Sequence, residues 1–444
     1  MDIMIILQVI VLLGAIFIGI RLGGIAIGYA GGLGVVVLGL VLGMKPGSIP
    51  WDVILIIAAA IAAISAMQQA GGLDYMVRVV EKVLRKHPRF INYLSPACGW
   101  LLTILAGTGN AVFSLMPVVV DVAKSQNIRP SVPLSLMVVS SQIGITASPV
   151  SAAVVYMSGV LEGFGWNYPT LIGIWIVTTF VACMLTAFIV SLITPLDLSK
   201  DAVYQERLKA GLVKDAGEVL KGTDKPGAKL SVGIFLLTVL AVVLYATAIS
   251  SNIKWIDPVI MPRDSAIMSF LLTAATLIVL FCKVEPAKIL DTSVFKSGMT
   301  ACVCVFGVAW LGNTFVAGHE ASIKEVAGEW VKQTPAMLAV AFFFASMLLY
   351  SQAATAKAIT PVIVTALGIT AAAPQDSYML VACFAAVSAL FVLPTYPTLL
   401  GAVQMDDTGT TRIGKLIFNH AFFIPGVLAI AIAVALGFLA TSFL

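Results

Sequence analysis

Charged side chains are scarce in this sequence: 26 Lys and Arg and 22 Asp and Glu make up only 11% of its 444 residues. A soluble domain carries about 25% charged residues because its surface must be solvated, so the composition excludes a soluble globular protein. Apolar residues account for 60% of the chain, and most of its surface must face lipid or other helices. The small excess of basic residues indicates membrane topology rather than a nucleic-acid partner.

Groups that carry catalysis or hold metals are also few. The three histidines are His87, His319 and His420, and all lie near predicted loops. The sequence has no HExxH motif, no paired aspartates within a span and no Ser–His pair on facing spans, so it does not predict an enzyme. The six cysteines occur singly or as Cys302-x-Cys304 inside apolar runs. We expect them to be small buried residues rather than metal ligands or disulfides, and we expect no cofactor.

The two halves of the chain repeat the same order of features at a shift of 247 residues. Thr108 then falls on Thr355, and Ser148 on Thr395. Each half has apolar spans, a charged amphipathic stretch, an apolar hairpin with a Thr-containing tip, and a span broken by Pro among hydroxyl residues. Duplicated membrane halves with interrupted helices at corresponding places are typical of secondary transporters. The pattern divides the chain into a first repeat, a cytoplasmic linker and a second repeat, at 1–194, 195–229 and 230–444.

Five membrane spans are predicted in each half, each long enough to cross about 30 Å of hydrocarbon. They cover 3–20, 24–43, 51–70, 131–160 and 169–194, and then 231–250, 265–283, 298–317, 376–404 and 417–441. Basic residues concentrate in loops that the positive-inside rule places in the cytoplasm, namely 71–90, 124–130, 195–229, 283–296 and 405–416. Both termini then lie outside, and the odd number of spans inverts the second half relative to the first. The predicted fold class is an all-α polytopic membrane protein of two inverted repeats.

A pair of short apolar segments lies between the third and fourth spans of each half, at 91–106 with 110–123 and at 336–352 with 358–368. We interpret each pair as a re-entrant hairpin, with tips at 107–110 and 352–355 that must be buried in protein or face a water-filled cavity. Two complete spans per hairpin are the alternative. Segments 74–89 and 320–334 alternate apolar and charged residues at helical spacing, which predicts helices along the membrane surface or else ordinary connecting loops.

Each tip is expected to face the broken span of its own half. Proline removes a backbone donor and disrupts the preceding turn, which frees carbonyls and helix N-termini at membrane depth. The N-termini suit an anion, whereas free carbonyls suit a cation. The candidate substrate-binding residues are Thr108, Gly109, Asn110, Ser148, Ser151, Gln352, Thr355, Lys357, Thr395 and Thr398.

Lys357 is expected at the second hairpin tip, within a long stretch that otherwise lacks charge. A cation there is costly unless it is paired or meets a substrate. Lys357 therefore predicts an anion, although snorkelling to an interface is an alternative. Asp406 and Asp407 form a cation site or gate, or else a capped polar turn with an internal Asp–Arg pair. Asp121 and Asp52 lie near predicted segment ends and are interfacial or relay protons. No metal ligands are predicted.

Several long motifs are shared with a known family: AISAMQQAGGLDY, GTGN, SQIGITASPVSAAVVYMS, GVAWLGNTF, SQAATAKA and LPTYPTLLGAVQMDDTGTTRIGK. From about Arg21 to the C-terminus the chain closely resembles the anaerobic C4-dicarboxylate transporter (Dcu) family, nearer its A type than its B type. The resemblance implies a carrier of the bacterial inner membrane that exchanges or takes up fumarate, succinate, malate and aspartate in anaerobic metabolism. It also implies an ion-transporter-superfamily architecture, with a scaffold, an elevator-like transport domain and often a homodimer.

The residues alone predict only a small anion, and the resemblance adds the dicarboxylate. We expect one carboxylate near Lys357 and the other near Thr108 and Asn110. The alternative function is a cation-coupled symporter of another small organic anion such as citrate or gluconate. Membrane lipid surrounds the protein, a sensor kinase contacting the cytoplasmic insert would be an added partner, and no nucleic acid is expected.

Overall fold

The computed structural model describes residues 3–22, 25–213, 225–250, 253–319, 321–322, 334–416 and 418–444. Within these ranges the chain forms helices and loops, and its only β contacts are isolated bridges. Among the described residues, seven helices are long and apolar enough to cross a membrane, judged by length and composition. The prediction of a helical protein with many apolar spans is confirmed.

We number twenty α-helices, α1 to α20, within the described residues. In the first half they are α1 (Ile3–Leu22), α2 (Ala26–Val36), α3 (Trp51–Gln69), α4 (Gly72–Lys86), α5 (Ile91–Ala106), α6 (Met116–Ser125), α7 (Ser131–Gly144), α8 (Ala152–Glu162), α9 (Tyr168–Ile193) and α10 (Ala202–Lys209). In the second half they are α11 (Ala228–Ala248), α12 (Arg263–Phe281), α13 (Pro286–Ile289), α14 (Ser293–Cys304), α15 (Trp310–Gly318), α16 (Met337–Leu349), α17 (Gln352–Leu367), α18 (Tyr378–Cys383), α19 (Pro397–Met405) and α20 (Phe423–Thr441).

The span-length helices are α3, α7 continued by α8, α9, α11, α12, α14 continued by α15, and α20. They coincide with seven of the ten predicted spans. The last of these begins at Phe423 rather than at 417. The remaining predictions, 3–20, 24–43 and 376–404, correspond to shorter or interrupted apolar helices.

The first hairpin segment breaks where the sequence predicts. Helix α5 ends at Gly107, whose φ of +70° favours glycine. A Cβ there would also lie 2.8 Å from the side chain of Val150, which leaves no room for a larger residue. Thr108 is extended, and a 3₁₀ helix, Gly109–Ser114, leads on to α6.

The second hairpin segment breaks earlier than predicted. Helix α16 ends at Tyr350, which has a φ of +58°, and α17 begins at Gln352. The bend therefore lies at Tyr350 and Ser351 and not at 352–355. As a consequence, Thr355 and Lys357 lie inside α17 rather than in the bend.

Both predicted broken spans are interrupted in the structure. Helix α7 passes through a 3₁₀ turn, Ile145–Ala147, before α8 resumes at Ala152. In the second half a 3₁₀ helix, Phe384–Phe391, precedes the break, and α19 starts at Pro397. The resumption points are 245 residues apart, and the two left-handed hairpin residues are 243 apart. A constant shift of 247 therefore does not pair residues one to one at the breaks.

The helices pack into two groups that each draw on both halves of the chain. The first group contains α1–α4 and α11–α15, and the second contains α5–α9 and α16–α20. Contacts are dense within each group and sparse between them. The predicted division at 1–194 and 230–444 thus describes the sequence, while the packing interleaves the two halves.

In the first group, α2 crosses the helix formed by α14 and α15 at backbone contact. A Cβ on Gly28 would collide with the carbonyl of Val303, and one on Gly307 would collide with the carbonyl of Gly28. Gly307 lies in a π-helical turn, Val305–Ala309. Small residues at such crossings let membrane helices approach closely and gain van der Waals contact.

The basic loops gather at one end of the molecule. Lys124 pairs with Asp407 at 2.9 Å, and Arg85 pairs with Asp121 at 2.6 Å. Nζ of Lys225 donates a hydrogen bond to the backbone oxygen at the end of α3. The backbone oxygen of Asp407 also accepts a hydrogen bond from Arg207, so segments 124–130, 195–229 and 405–416, predicted to share one side of the membrane, are joined directly.

Only one of the two predicted surface helices lies within the described residues. Helix α4 occupies most of 74–89 and buries Leu73, Val77 and Leu84, so this segment is helical, and its position along the membrane surface stays a prediction. Segment 320–334 lies outside the described residues except for 321, 322 and 334. Part of the linker, 214–224, also lies outside them.

Gly307→Ala should destabilise the protein, because its methyl group meets the carbonyl of Gly28. Overpacking of this kind costs about 1–3 kcal/mol. We expect a lower Tm of the detergent-solubilised protein, followed by tryptophan fluorescence. Gly32→Ala on α2 is the matched control, since nothing lies within 4 Å of its Cβ position. An equal Tm for the two variants would contradict the close crossing.

Candidate functional site

All four breaks contribute residues to the wall of one small cavity of about 50 Å³. Helix α3 and the π-helical turn of the first group complete the wall through Ile56, Ile57, Ala60 and Val305. The residues from the breaks are Gly107, Thr108, Asn110, Ile145, Val150, Ser151, Ala152, Ala153, Tyr350, Ser351, Gln352, Ala353 and Tyr396. The cavity therefore lies where the two helix groups meet.

Helix N-termini approach this cavity from each of the four breaks. Thr108, Ser151 and Ser351 each precede a helix, and each side-chain oxygen accepts a hydrogen bond at 3.2–3.3 Å from a backbone N–H two or three residues further on. Helix α19 begins directly after Tyr396. The other N–H groups of a first helical turn have no intrahelical partner, and the helix dipole makes this end electropositive. The arrangement favours an anionic ligand.

Helix C-termini also reach the cavity, at Gly107 and Tyr350. Backbone carbonyls there would favour a cation, but cation sites built from oxygen usually include carboxylates. No Asp or Glu is among the described residues of the wall. The part of the chain that the structure describes contains no cluster of three His, Cys, Asp or Glu suited to a metal. The balance favours an anion.

Gln142 connects the breaks to one another. Nε2 of Gln142 donates a hydrogen bond to Oγ1 of Thr398 at 2.9 Å, and the backbone oxygen of Gln142 accepts one from Nε2 of Gln352 at 3.2 Å. Gln142 is fully buried in α7. The sequence analysis did not select it, although an amide inside an apolar span is a signal for function.

Two tyrosines of the wall were also not selected. The rings of Tyr350 and Tyr396 are 5.7 Å apart. The hydroxyl of Tyr350 is buried and has no hydrogen-bond partner among the described residues. No feature of the sequence distinguishes these tyrosines from ordinary core residues, so only the structure places them beside the breaks.

Four of the predicted binding residues line the cavity: Thr108, Asn110, Ser151 and Gln352. Gly109 lies just behind the wall, where a Cβ would be 3.2 Å from Nε2 of Gln142.

The remaining predicted hydroxyl residues are buried around the breaks. Ser148 donates to the carbonyl of Ile104 at 2.6 Å, and Thr355 donates to that of Ser351 at 2.7 Å. Thr398 accepts the bond from Gln142 described above. Thr395 is buried with no partner for its hydroxyl in the described part of the chain. Three of the four thus already satisfy backbone or side-chain groups at the breaks.

Lys357 lies outside this cavity. It forms an ion pair with Asp52 in the first turn of α3, and its Nζ lies 5.3 Å from the ring centre of Tyr156. The expected costly cation is therefore paired within the protein. Its predicted contact with a substrate stays a prediction and requires the ammonium group to change partners.

The predicted ion or gating carboxylates lie at the basic end. Asp406 is buried and accepts hydrogen bonds from the hydroxyls of Thr408 and Thr410 at 2.5 and 3.0 Å, so it caps a polar turn. Asp407 pairs with Lys124 of α6 rather than within that turn. Asp121 pairs with an arginine of α4. These contacts join helix ends and lie apart from the cavity.

Comparison with known proteins identifies the family of this chain. The family model described as anaerobic C4-dicarboxylate membrane transporter matches residues 4–444. The chain belongs to this family. It is therefore a multi-pass membrane transporter and not an enzyme, as predicted.

Individual relatives place the chain nearer the A type of the family. It is 61% identical over 431 residues to the C4-dicarboxylate transporter DcuA of Helicobacter pylori, covering 97% of each chain. It is 53% identical over 442 residues to that of Escherichia coli K12, covering 99% of this chain and 100% of the relative. With the anaerobic C4-dicarboxylate transporter DcuB of Escherichia coli O6:H1, identity is 36% over 443 residues, with 98% and 97% covered.

Gln142→Leu should lower both the Tm and the affinity of this family member for its substrate. The change leaves buried amide and hydroxyl groups without partners, at a cost of about 1–3 kcal/mol. Thermal unfolding and the apparent KM of transport measure the two effects. Ser141→Ala is the control, because that hydroxyl bonds to the carbonyl of Val138 in its own helix. Equal effects of the two changes on the Tm and the apparent KM would show that Gln142 has no special role in the site.

Proposed function

We propose that the protein exchanges C4-dicarboxylates across the membrane, with the substrate held at the cavity between the four helix breaks. The convergence of these breaks on one wall without an acidic residue carries the proposal, because exposed helix N-termini bind carboxylates. The names of the relatives support the substrate class. Fumarate, succinate, malate and aspartate are the substrates we expect.

In this proposal Lys357 provides the positive charge for one substrate carboxylate. It follows Gln352 by five residues, a rise of about 7.5 Å along α17. Side chains on a helix tilt toward its N-terminus, so the ammonium group can reach back toward the breaks once it leaves Asp52. The second carboxylate then meets N–H groups and the side chains of Thr108 and Asn110. A cavity of about 50 Å³ holds only a few waters at roughly 10–15 Å³ each, so the breaks must separate to admit the substrate.

The packing of the helices supports alternating access by an elevator-type motion. All four breaks belong to the second helix group, so this group can carry the whole site as one body past the first group. We propose the second group as the transport domain and the first as the scaffold. Two inverted repeats, with hairpins entering from opposite faces, supply the symmetry that alternating access requires.

The basic end of the molecule supports a cytoplasmic position for the loops gathered there. Both termini would then be periplasmic in a bacterial inner membrane. A homodimer, and a sensor kinase bound to the linker at 195–229, stay predictions.

Counterflow in proteoliposomes tests the proposal. Vesicles loaded with unlabelled succinate should accumulate labelled fumarate or aspartate from outside, and vesicles without internal dicarboxylate should not. Uptake that needs a sodium or proton gradient instead, without internal dicarboxylate, would indicate a symporter. No uptake by the folded protein would contradict the substrate class.

Lys357→Ala should reduce counterflow strongly. Loss of a charge-assisted hydrogen bond costs about 1.5–3 kcal/mol, equivalent to a roughly 10- to 150-fold loss of affinity. Initial rates over a range of fumarate concentrations measure the effect. Lys288→Ala is the control, since Lys288 in the short helix α13 is exposed and pairs only with the neighbouring Glu285 among the described residues. Normal uptake by Lys357→Ala would exclude this lysine from substrate binding.

A further inference from the structure

One ion pair joins the two helix groups close to the site. Lys357 belongs to α17 of the second group, and Asp52 belongs to α3 of the first. Helix α3 ends at Gln69, whose carbonyl meets the basic end of the molecule. Asp52 is 17 residues away, about 25 Å along the helix. The pair therefore lies toward the end of the molecule opposite the basic loops.

This ion pair lines cavities next to the helix breaks. Lys357 and Asp52 both line two larger cavities, of about 450 and 350 Å³. The smaller of these shares Ile56 and Ala152 with the cavity between the breaks. The cavity between the breaks and the smaller of the larger cavities are therefore neighbours, with Lys357 in the wall of the latter.

The two partners differ in how easily they can be separated. The side chain of Asp52 is 45% exposed, whereas that of Lys357 is only 19% exposed. Water in the larger cavities can therefore solvate a released Asp52, but an unpaired Lys357 would be costly at membrane depth. Arg263 also lines the smaller of the two larger cavities, but it already forms an ion pair with Glu162 at 2.7 Å. Lys357 thus needs a carboxylate, and either Asp52 or the substrate can supply it.

We infer that Asp52 latches the empty carrier with its site facing these two cavities, so that substrate leaves toward them only in exchange for another dicarboxylate. The inference rests on the proposed exchange of dicarboxylates. When the site is empty, the Asp52–Lys357 pair adds to the cost of moving the second group away from the first. When a dicarboxylate binds, its carboxylate replaces Asp52 on Lys357, and this added cost is removed.

Asp52 is thus a positioning residue that acts through Lys357. Net release toward the larger cavities is slow, because the empty carrier must break the latch before it can return. Net uptake from that side does not include this step, since the empty carrier moves back toward the latched state. The latch therefore slows net release more than net uptake, while the substrate gradients set the direction of net transport.

Right-side-out membrane vesicles from bacteria lacking other dicarboxylate carriers test the latch. The vesicles are loaded with labelled succinate, and efflux is measured into buffer with or without excess unlabelled succinate. Wild-type efflux should be slow without external succinate and fast with it. For each protein, the rate of efflux without external succinate is divided by the rate with it. In Asp52→Asn this ratio should be about tenfold higher than in the wild type, because a tenfold change corresponds to about 1.4 kcal/mol of lost stabilisation of the latched state.

Matched variants separate the latch from a general loss of charge. Asp264→Asn removes a carboxylate from the wall of the same cavity, where Asp264 accepts a hydrogen bond from the N–H of Ser265, and should behave as wild type. Asp52→Glu retains the carboxylate and should retain the dependence on external succinate. Asp52→Ser removes the carboxylate in a second way, in case the Asn variant does not fold.

The outcomes distinguish the latch from the proposed function. If the wild type does not exchange dicarboxylates at all, the proposed function is wrong. If the wild type exchanges, but folded Asp52→Asn or Asp52→Ser depends on external succinate as strongly as Asp264→Asn does, the latch is wrong and the exchange proposal stands.

Discussion

The backbone groups released where helices break inside an apolar protein have no water to bind, and the site depends on how the chain satisfies them. Side-chain oxygens of Thr108, Ser151 and Ser351 take some of the free N–H groups. Gln142 connects the breaks through its hydrogen bonds with Thr398 and Gln352. The breaks line the cavity, where a bound anion can partner N–H groups that the first helical turns leave free. The helix breaks thus leave backbone groups that need hydrogen-bond partners, and the same groups can bind an anion.

Contacts within and between the two helix groups differ in kind. Lipid provides no hydrophobic drive for helix association, so close packing of small residues must hold membrane helices together, as Gly28 and Gly307 do inside the first group. Between the groups, ion pairs join α3 to α17, α4 to α6 and α8 to α12. A close-packed glycine contact has one favourable geometry, whereas a charged group can change partners. Rigid groups joined by exchangeable pairs are suited to relative motion.

Sequence patterns located the first hairpin better than the second. Gly107 and the prolines of the broken spans report their backbone geometry directly, because few other residues tolerate or impose it. Tyr350 adopts a left-handed conformation without any such signal, and the predicted bend was displaced toward Thr355. Lys357 was therefore placed in a bend, whereas it lies inside α17. The pairing of Lys357 with Asp52 joins residues 305 positions apart, and no local pattern contains that information.

The sequence by itself determined that this protein is helical and membrane-embedded. It also determined where most spans run and where three of the four helix breaks lie, because these properties follow from local composition and backbone preference. The family motifs also lie in the sequence itself. Only the tertiary structure decided that all four breaks meet at one cavity and that Gln142 connects them. It also decided that Lys357 is neutralised by Asp52 and that the halves interleave into two groups. These features depend on which distant residues come into contact, and contact across hundreds of residues is a property of the packed helices rather than of any segment.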